Sequence, residues 1–267
     1  MDGATQMTNG FARIETDGHR TDVLIQREEK RNAMNEPLIE DLREAFETVT
    51  EYDESRVVTL LGEGPVLCAG MDLEMMRGRA DGDTRPSPDE DPFNQLLETI
   101  DDCPQPTVVG IHGAAPAGAF ELTLPFDFRI IGAEANYGVI EVKLGTFPHG
   151  GATQRLPRLI GLARAKELVL TGEFIDPEEA AACGLALEVV DSGEVKERTR
   201  TFADELANNA PIGMRLGKRA LDAALEMPLD EGLQFERQLG QETYGTRDYE
   251  EGFNARLDGR DPEFEGN

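Results

Sequence analysis

Two glutamates, Glu121 and Glu141, stand twenty positions apart, each inside a largely apolar run, AGAFELTL and YGVIEVKL. An ionised carboxylate in such surroundings is costly unless it is paired or put to use. Two carboxylates whose pKa values are held apart can take a proton from one atom of a substrate and give one to another. Upstream of Glu121 an apolar run, Thr107 to Ile111, leads into the small residues Gly113, Ala114, Ala115, Ala117, Gly118 and Ala119. Small residues at a strand-to-helix turn let a ligand approach the backbone, and the helix start aims N–H groups at negative charge. Donors of that kind stabilise a carbonyl oxygen that becomes anionic in a transition state. Proton transfer on a carbonyl compound is therefore the chemistry these residues could do. A glutamate buried for structure alone is the competing reading at each position.

Other chemistries find less support. The histidines His19, His112 and His149 show no H-x-x-H or H-E-x-x-H spacing, so no metal is expected. No G-x-S-x-G nucleophile elbow occurs. His149, in Pro148–His149–Gly150–Gly151, lies near the glutamates in sequence and is read as structural. Cys68, Cys103 and Cys183 are isolated and odd in number, which suggests a reducing compartment, here taken as the cytoplasm.

The elements that must position the glutamates are those of an α/β protein. Residues 11–17 and 21–26 alternate and are split by Gly18–His19, a hairpin signal. Glu36–Pro37 opens a helix with Leu38, Ile39, Leu42, Ala45, Phe46 and Val49 on one face. Val57 to Leu61, Thr107 to Ile111 and Phe126 to Ile131 read as strands, and Phe93 to Ile100 and Phe120 to Leu124 as helical. Arg77 to Pro92, with three prolines and two glycines, reads as a loop. Beyond Arg155 the pattern is helical: Leu159 to Leu170, a helix from Asp176–Pro177 to Gly184, then Glu194 to Asn208, Ile212 to Leu225 and Leu229 to Asn254. Leu185 to Val190 is a short strand among them.

The 267 residues carry 26 basic and 53 acidic side chains, a formal net charge of −27, and only five lysines. Such a field repels nucleic acid and anionic membranes, and repels a polyanionic ligand unless salt screens it. No run of eighteen apolar residues suggests a membrane span, and the start MDGATQMTNG has neither the basic nor the apolar region of a secretory signal. Acids spread through ordinary amphipathic segments read as a surface adapted to high salt. Denaturation midpoints are thus expected to fall between molar salt and about 50 mM, where screening is weak; an unchanged midpoint contradicts the halophilic reading.

Four segments carry a resemblance to the crotonase (enoyl-CoA hydratase/isomerase) superfamily. GAAPAGAFEL resembles its G-x-x-x-G-G-G-x-E-L, and YGVIEVKLGTFPHGGATQRLPRLIG resembles its F-G-x-P-E-x-x-x-G-x-x-P-x-x-G-G-x-x-x-L-x-R-x-x-G. EKRNAMN (Glu29 to Asn35) and LCAGMDL (Leu67 to Leu73) agree in order and spacing, and the match runs from about Arg13 to Phe264. The resemblance implies a crotonase-like ββα spiral core over 1–205 and a C-terminal helical trimerisation region over 206–267. It implies an acyl-CoA thioester substrate with no separate cofactor, and a homotrimer or dimer of trimers. The oxyanion donors it implies are the N–H groups of Met71 and Gly118, with Glu121 and Glu141 catalytic. Arg31, Ala33, Ala69, Met71, Asp72, Leu73 and Gly118 would face the substrate and its coenzyme. Asp72 also reads as a turn or helix cap.

Departures from the family pattern are few. Ala117–Gly118–Ala119 replaces G-G-G, and ordinary backbone angles are expected at both alanines. Ile140 stands where proline is common, Glu74 where the hydratases often have lysine, and Gly259 where a lysine often precedes the arginine. Retention of both glutamates points to hydration of an enoyl thioester. A Δ3-Δ2-enoyl-CoA isomerase or another superfamily activity, with Glu121 silent, is the second reading. A non-enzymatic subunit that keeps the fold is the third; two intact glutamates weigh against it.

Overall fold

The computed structural model describes residues 4–52, 54–82, 86, 87 and 90–267. β1 (Thr5–Gln6), β2 (Ala12–Asp17) and β3 (Arg20–Ile25) form an antiparallel meander, with Gly18–His19 at the turn. α1 (Glu36–Thr50) is capped by Asn35, whose side chain accepts from Leu38 N–H at 3.1 Å. It buries the apolar face read from its period. β4 (Val57–Gly62) then lies parallel to β3. α2 (Leu73–Ala80) and α3 (Pro92–Asp101) form an excursion before β5 (Thr107–Ile111) returns parallel to β4. The loop expected from Arg77 onward therefore begins later, because Asp72 caps a helix that runs on to Ala80. Of that loop, residues 83–85 and 88–89 fall outside the described residues.

Two short units follow, and they place the site. β6 (Ala114–Pro116) leads into α4 (Gly118–Thr123). β7 (Phe128–Gly132) and β8 (Asn136–Gly138) then lead into a 3₁₀ turn, Glu141–Leu144. β5 and β7 belong to a seven-stranded sheet, β6 and β8 to a three-stranded one, so each unit crosses from one sheet to the other. The first crossing turns at Gly113, with φ +68°. A Cβ there would lie 2.3 Å from the Pro65 carbonyl oxygen, so only glycine fits.

α5 (Ala152–Ile160) and α6 (Leu162–Thr171) replace the single segment expected over 159–170. Gly161, at φ +79°, separates them. β9 (Phe174–Ile175) pairs antiparallel with β8; α7 (Pro177–Ala182), capped by Asp176, precedes β10 (Glu188–Val190) on the edge of the large sheet. α8 (Val195–Ala207) packs across β3, β4, β5 and β7. It is pinned by Asp22, buried, which accepts from Arg20 and from Arg200 Nε at 2.7 Å.

α9 (Pro211–Asp222), α10 (Leu229–Thr243) and α11 (Arg247–Asp258) complete the chain. The helix expected over 229–254 is broken because Gly245 takes φ +94° and Thr246 caps α11, accepting from Tyr249 N–H at 3.1 Å. Leu221, Leu225, Leu229, Phe253 and Leu257 are exposed on this helical region. Among the described residues no helix is long and apolar enough to cross a membrane.

Candidate active site

Register does the first part of the positioning. β6 and β8 run parallel with Pro116 opposite Gly138, and Ala117 N–H donates to Gly138 O at 2.9 Å. The segments leaving these two strands therefore start side by side. Glu121 sits one turn into α4; Glu141 opens the 3₁₀ turn. Behind them Phe120 and Tyr137 pack with ring centroids 4.3 Å apart, and Thr123 and Tyr137 share a 2.7 Å hydrogen bond between their hydroxyls. Both are buried, so the two units move as one.

Both glutamates are buried, at 3% and 6% exposure, but their surroundings differ. Glu121 Oε1 accepts from the N–H groups of Gly150 (2.8 Å) and Ala152 (3.1 Å), at the start of α5. Among the described residues Glu141 has no hydrogen-bond partner at either oxygen. Burial raises both carboxyl pKa values, and the two amides oppose the rise at Glu121. At Glu141 burial, aided by the charge of Glu121, pushes the value up to about 7, against the pull of its own N–H and of His149. Amide donors favour an ionised Glu121, whereas Glu141 is poised to carry a proton near neutrality.

Met71 and Gly118, the residues expected to supply the oxyanion donors, are also brought together. Ideal Cβ geometry at Gly118 would lie 3.1 Å from both Cγ and Cε of Met71, so the two residues are in direct contact. Among the described residues neither Met71 N–H nor Gly118 N–H donates a hydrogen bond. Two unspent amides thus belong to residues in contact at the turn that carries Glu121. That suits a carbonyl oxygen acquiring charge.

The expectation of ordinary backbone angles at Ala117 does not hold. Its φ is 52° and ψ −125°, a conformation that favours glycine, and it starts the turn into α4. Such strain costs on the order of 1–3 kcal/mol and persists where the surroundings impose it. Ala117→Gly is therefore expected to stabilise the fold by about 1 kcal/mol after the entropy of glycine is deducted, and so to raise the denaturation midpoint. A lower midpoint in that variant would show the strain to be absent.

Arg31 is exposed and left-handed at φ 52°; Ala33 and Ala69 are partly buried; Leu73 is 77% exposed. The Asp72 carboxylate caps α2 by accepting from Glu74 N–H at 2.9 Å and pairs with Arg27 Nη1 at 2.8 Å, so its oxygens are already engaged. Lys143 turns outward to Glu173 at 2.6 Å. His149 is exposed, and its Nδ1 lies 3.0 Å from Phe147 O. Arg260 is held by Glu251.

Sequence reasoning missed the Gly150 and Ala152 amides and Phe93, whose ring lies against Gly150. The paired glycines of P-H-G-G were the only signal.

Over residues 21–267 the sequence matches the family described as Enoyl-CoA hydratase/isomerase. It is 34% identical over 254 residues to the mitochondrial enoyl-CoA hydratase domain-containing protein 2 of Homo sapiens, taking in 92% of this chain and 85% of that one. Against the mitochondrial methylglutaconyl-CoA hydratase of Homo sapiens the identity is 32% over 247 residues, with 91% and 72% covered. Among solved structures, the enoyl-CoA hydratase from Bacillus anthracis superposes with a TM-score of 0.91 at 34% identity, covering 96% of this chain and 100% of that one.

Proposed function

Because the chain belongs to the enoyl-CoA hydratase/isomerase family, with the crotonase fold, we propose that it is an enoyl-CoA hydratase. The family acts on acyl-CoA thioesters. The reaction proposed is addition of water across C2–C3 of a trans-2-enoyl-CoA to give a 3-hydroxyacyl-CoA. The observation that carries it is the unequal pair: Glu121 held by two amides, Glu141 buried and, among the described residues, without a hydrogen-bond partner.

The thioester oxygen sits between the N–H groups of Met71 and Gly118, where losing one donor typically costs about 2.7–4 kcal/mol. Water rests between the glutamates. Glu121, ionised, takes a proton as the oxygen attacks C3. Glu141, protonated, delivers a proton to C2 as the enolate-like charge collapses. The amides fix Glu121 so that water, not the carboxylate, must approach the alkene.

Glu141 donates only while protonated. The kcat/KM of hydration is thus expected to hold at lower pH and to fall as pH rises through about 7. A profile flat to pH 9 (roughly two units beyond that value) would remove Glu141 from the donor role.

The assay is loss of the enoyl-thioester ultraviolet band with crotonyl-CoA in molar salt. Loss in wild type but not in Glu121→Gln supports hydration by both carboxylates. No loss in wild type, with conversion of a 3-enoyl thioester instead, makes the protein an isomerase.

The exposed leucines on α9 to α11 support assembly through this region, which we propose forms a homotrimer or a dimer of trimers.

A further inference from the structure

The donor Met71 lies on a segment stitched to a distant loop. Ala69 N–H donates to Arg31 O (3.0 Å), Met34 N–H to Gly70 O (2.8 Å), and Asp72 N–H to Met34 O (2.8 Å). The residues on either side of Met71 are thereby tied down while its own N–H stays unspent. One side chain holds both strands of this seam. Arg27 Nη1 donates to Ala33 O at 2.6 Å on the loop and to Asp72 Oδ2 at 2.8 Å beside the donor. Arg27 and Asp72 are buried, at 8% and 6% exposure. The loop end is fixed in turn by Asn32, which accepts from Arg27 N–H and donates to the carbonyls of Glu63, Val66 and Leu67.

A buried ion pair is weak evidence for stability, since desolvation offsets most of the attraction. Its worth here is geometric. Asp72 is one peptide unit from the Met71 N–H, and its carboxylate is held at both oxygens, by Arg27 and by Glu74 N–H. The peptide before Met71 follows Gly70, at φ +97°, and has little intrinsic stiffness. We propose that Arg27 and Asp72 are positioning residues that fix the aim of the Met71 N–H at the thioester oxygen. This rests on the reading of Met71 and Gly118 as the oxyanion donors.

The test uses para-dimethylaminocinnamoyl-CoA, whose absorption moves to the red when its carbonyl is polarised. Wild type, Asp72→Asn and Arg27→Lys are compared at saturating protein in molar salt, so that weaker binding does not enter. Asp72→Asn keeps size and capping oxygen but loses the charge. Arg27→Lys keeps the charge, and so the fold, but loses the two-way reach. The red shift is expected to shrink by about half or more, and kcat for crotonyl-CoA to fall roughly ten- to hundred-fold, the scale of a misplaced catalytic group. A full wild-type shift in folded variants overturns the proposal, whatever happens to their Tm. No shift in wild type itself overturns the oxyanion assignment beneath it.

Discussion

Glu121→Gln and Glu141→Gln are each expected to lower kcat for the proposed hydration by about 10²–10⁴-fold, the usual worth of a general acid or base, while the fold persists. Glutamine keeps the shape. At 121 its amide oxygen can still accept from Gly150 and Ala152 N–H, so the start of α5 is not released. What is lost is the capacity to take a proton from water. At 141 no hydrogen bond is lost, because the carboxylate has none among the described residues. The consequence for stability has a definite sign. The carboxyl pKa of Glu141 in the folded state is raised to about 7, so between the ordinary value of 4.5 and about 7 the folded chain binds more protons than the unfolded one. Stability therefore falls as pH rises through that window. Removing the ionisable group removes the loss, so Glu141→Gln is expected to gain on wild type as pH rises and to denature later at pH 8. Rate and stability thus move in opposite directions at one residue, as expected where a charge is buried for chemistry. Stopped-flow hydration rates and denaturation midpoints at pH 5 and 8 check both. A wild-type rate in either variant overturns its assigned role. The double variant is expected to lose less than the product of the two, since both act on one water and one alkene.

The central strands were readable because parallel strands covered on both faces run nearly continuously apolar: Val57–Gly62, Thr107–Ile111 and Phe128–Gly132 are of this kind. The strands that place the glutamates were not. β6 is Ala-Ala-Pro and β8 is Asn-Tyr-Gly, three residues each, and neither carries a strand pattern. They are strands because they pair with each other, a long-range fact that local composition does not hold. The same limit applies to helix breaks. Gly161 and Gly245 each divide a pattern that looked continuous, since an isolated glycine in an amphipathic run is compatible with either outcome. The glutamates, Met71 and Gly118 were picked out through residue type and resemblance. What holds Glu121 was not, because two backbone amides have no residue type. The Arg27–Asp72 pair, forty-five positions apart, was equally silent.

Gly150→Ala is the sharper probe of that hidden part, and is expected to lower kcat on the order of 10²-fold. A Cβ at this position would lie 2.6 Å from the ring edge of Phe93 and 2.9 Å from Oε2 of Glu121, so neither contact can stay as it is. Phe93 is 4% exposed and packed into the core at the first turn of α3, where its N–H is held by Asp91 Oδ1 at 3.0 Å. The ring has little room to retreat, so the backbone at residue 150 is pushed off it and the Glu121 carboxylate yields in turn. Its displacement stretches the bond from Gly150 N–H and moves the water-holding oxygen off line. A shift near 1 Å is enough for a loss of that size. Stability is expected to change less than activity, because the clash is relieved by a side chain facing the site. Phe93→Ala supplies the control. It opens a cavity and costs about 3–5 kcal/mol by itself, but it removes the wall that drives the new methyl into Glu121. In the Gly150→Ala/Phe93→Ala double variant kcat is expected to recover at least ten-fold over Gly150→Ala, a coupling of about 1.4 kcal/mol or more. Additive losses in kcat would show that Gly150 acts through its conformation rather than through the space it leaves for Glu121.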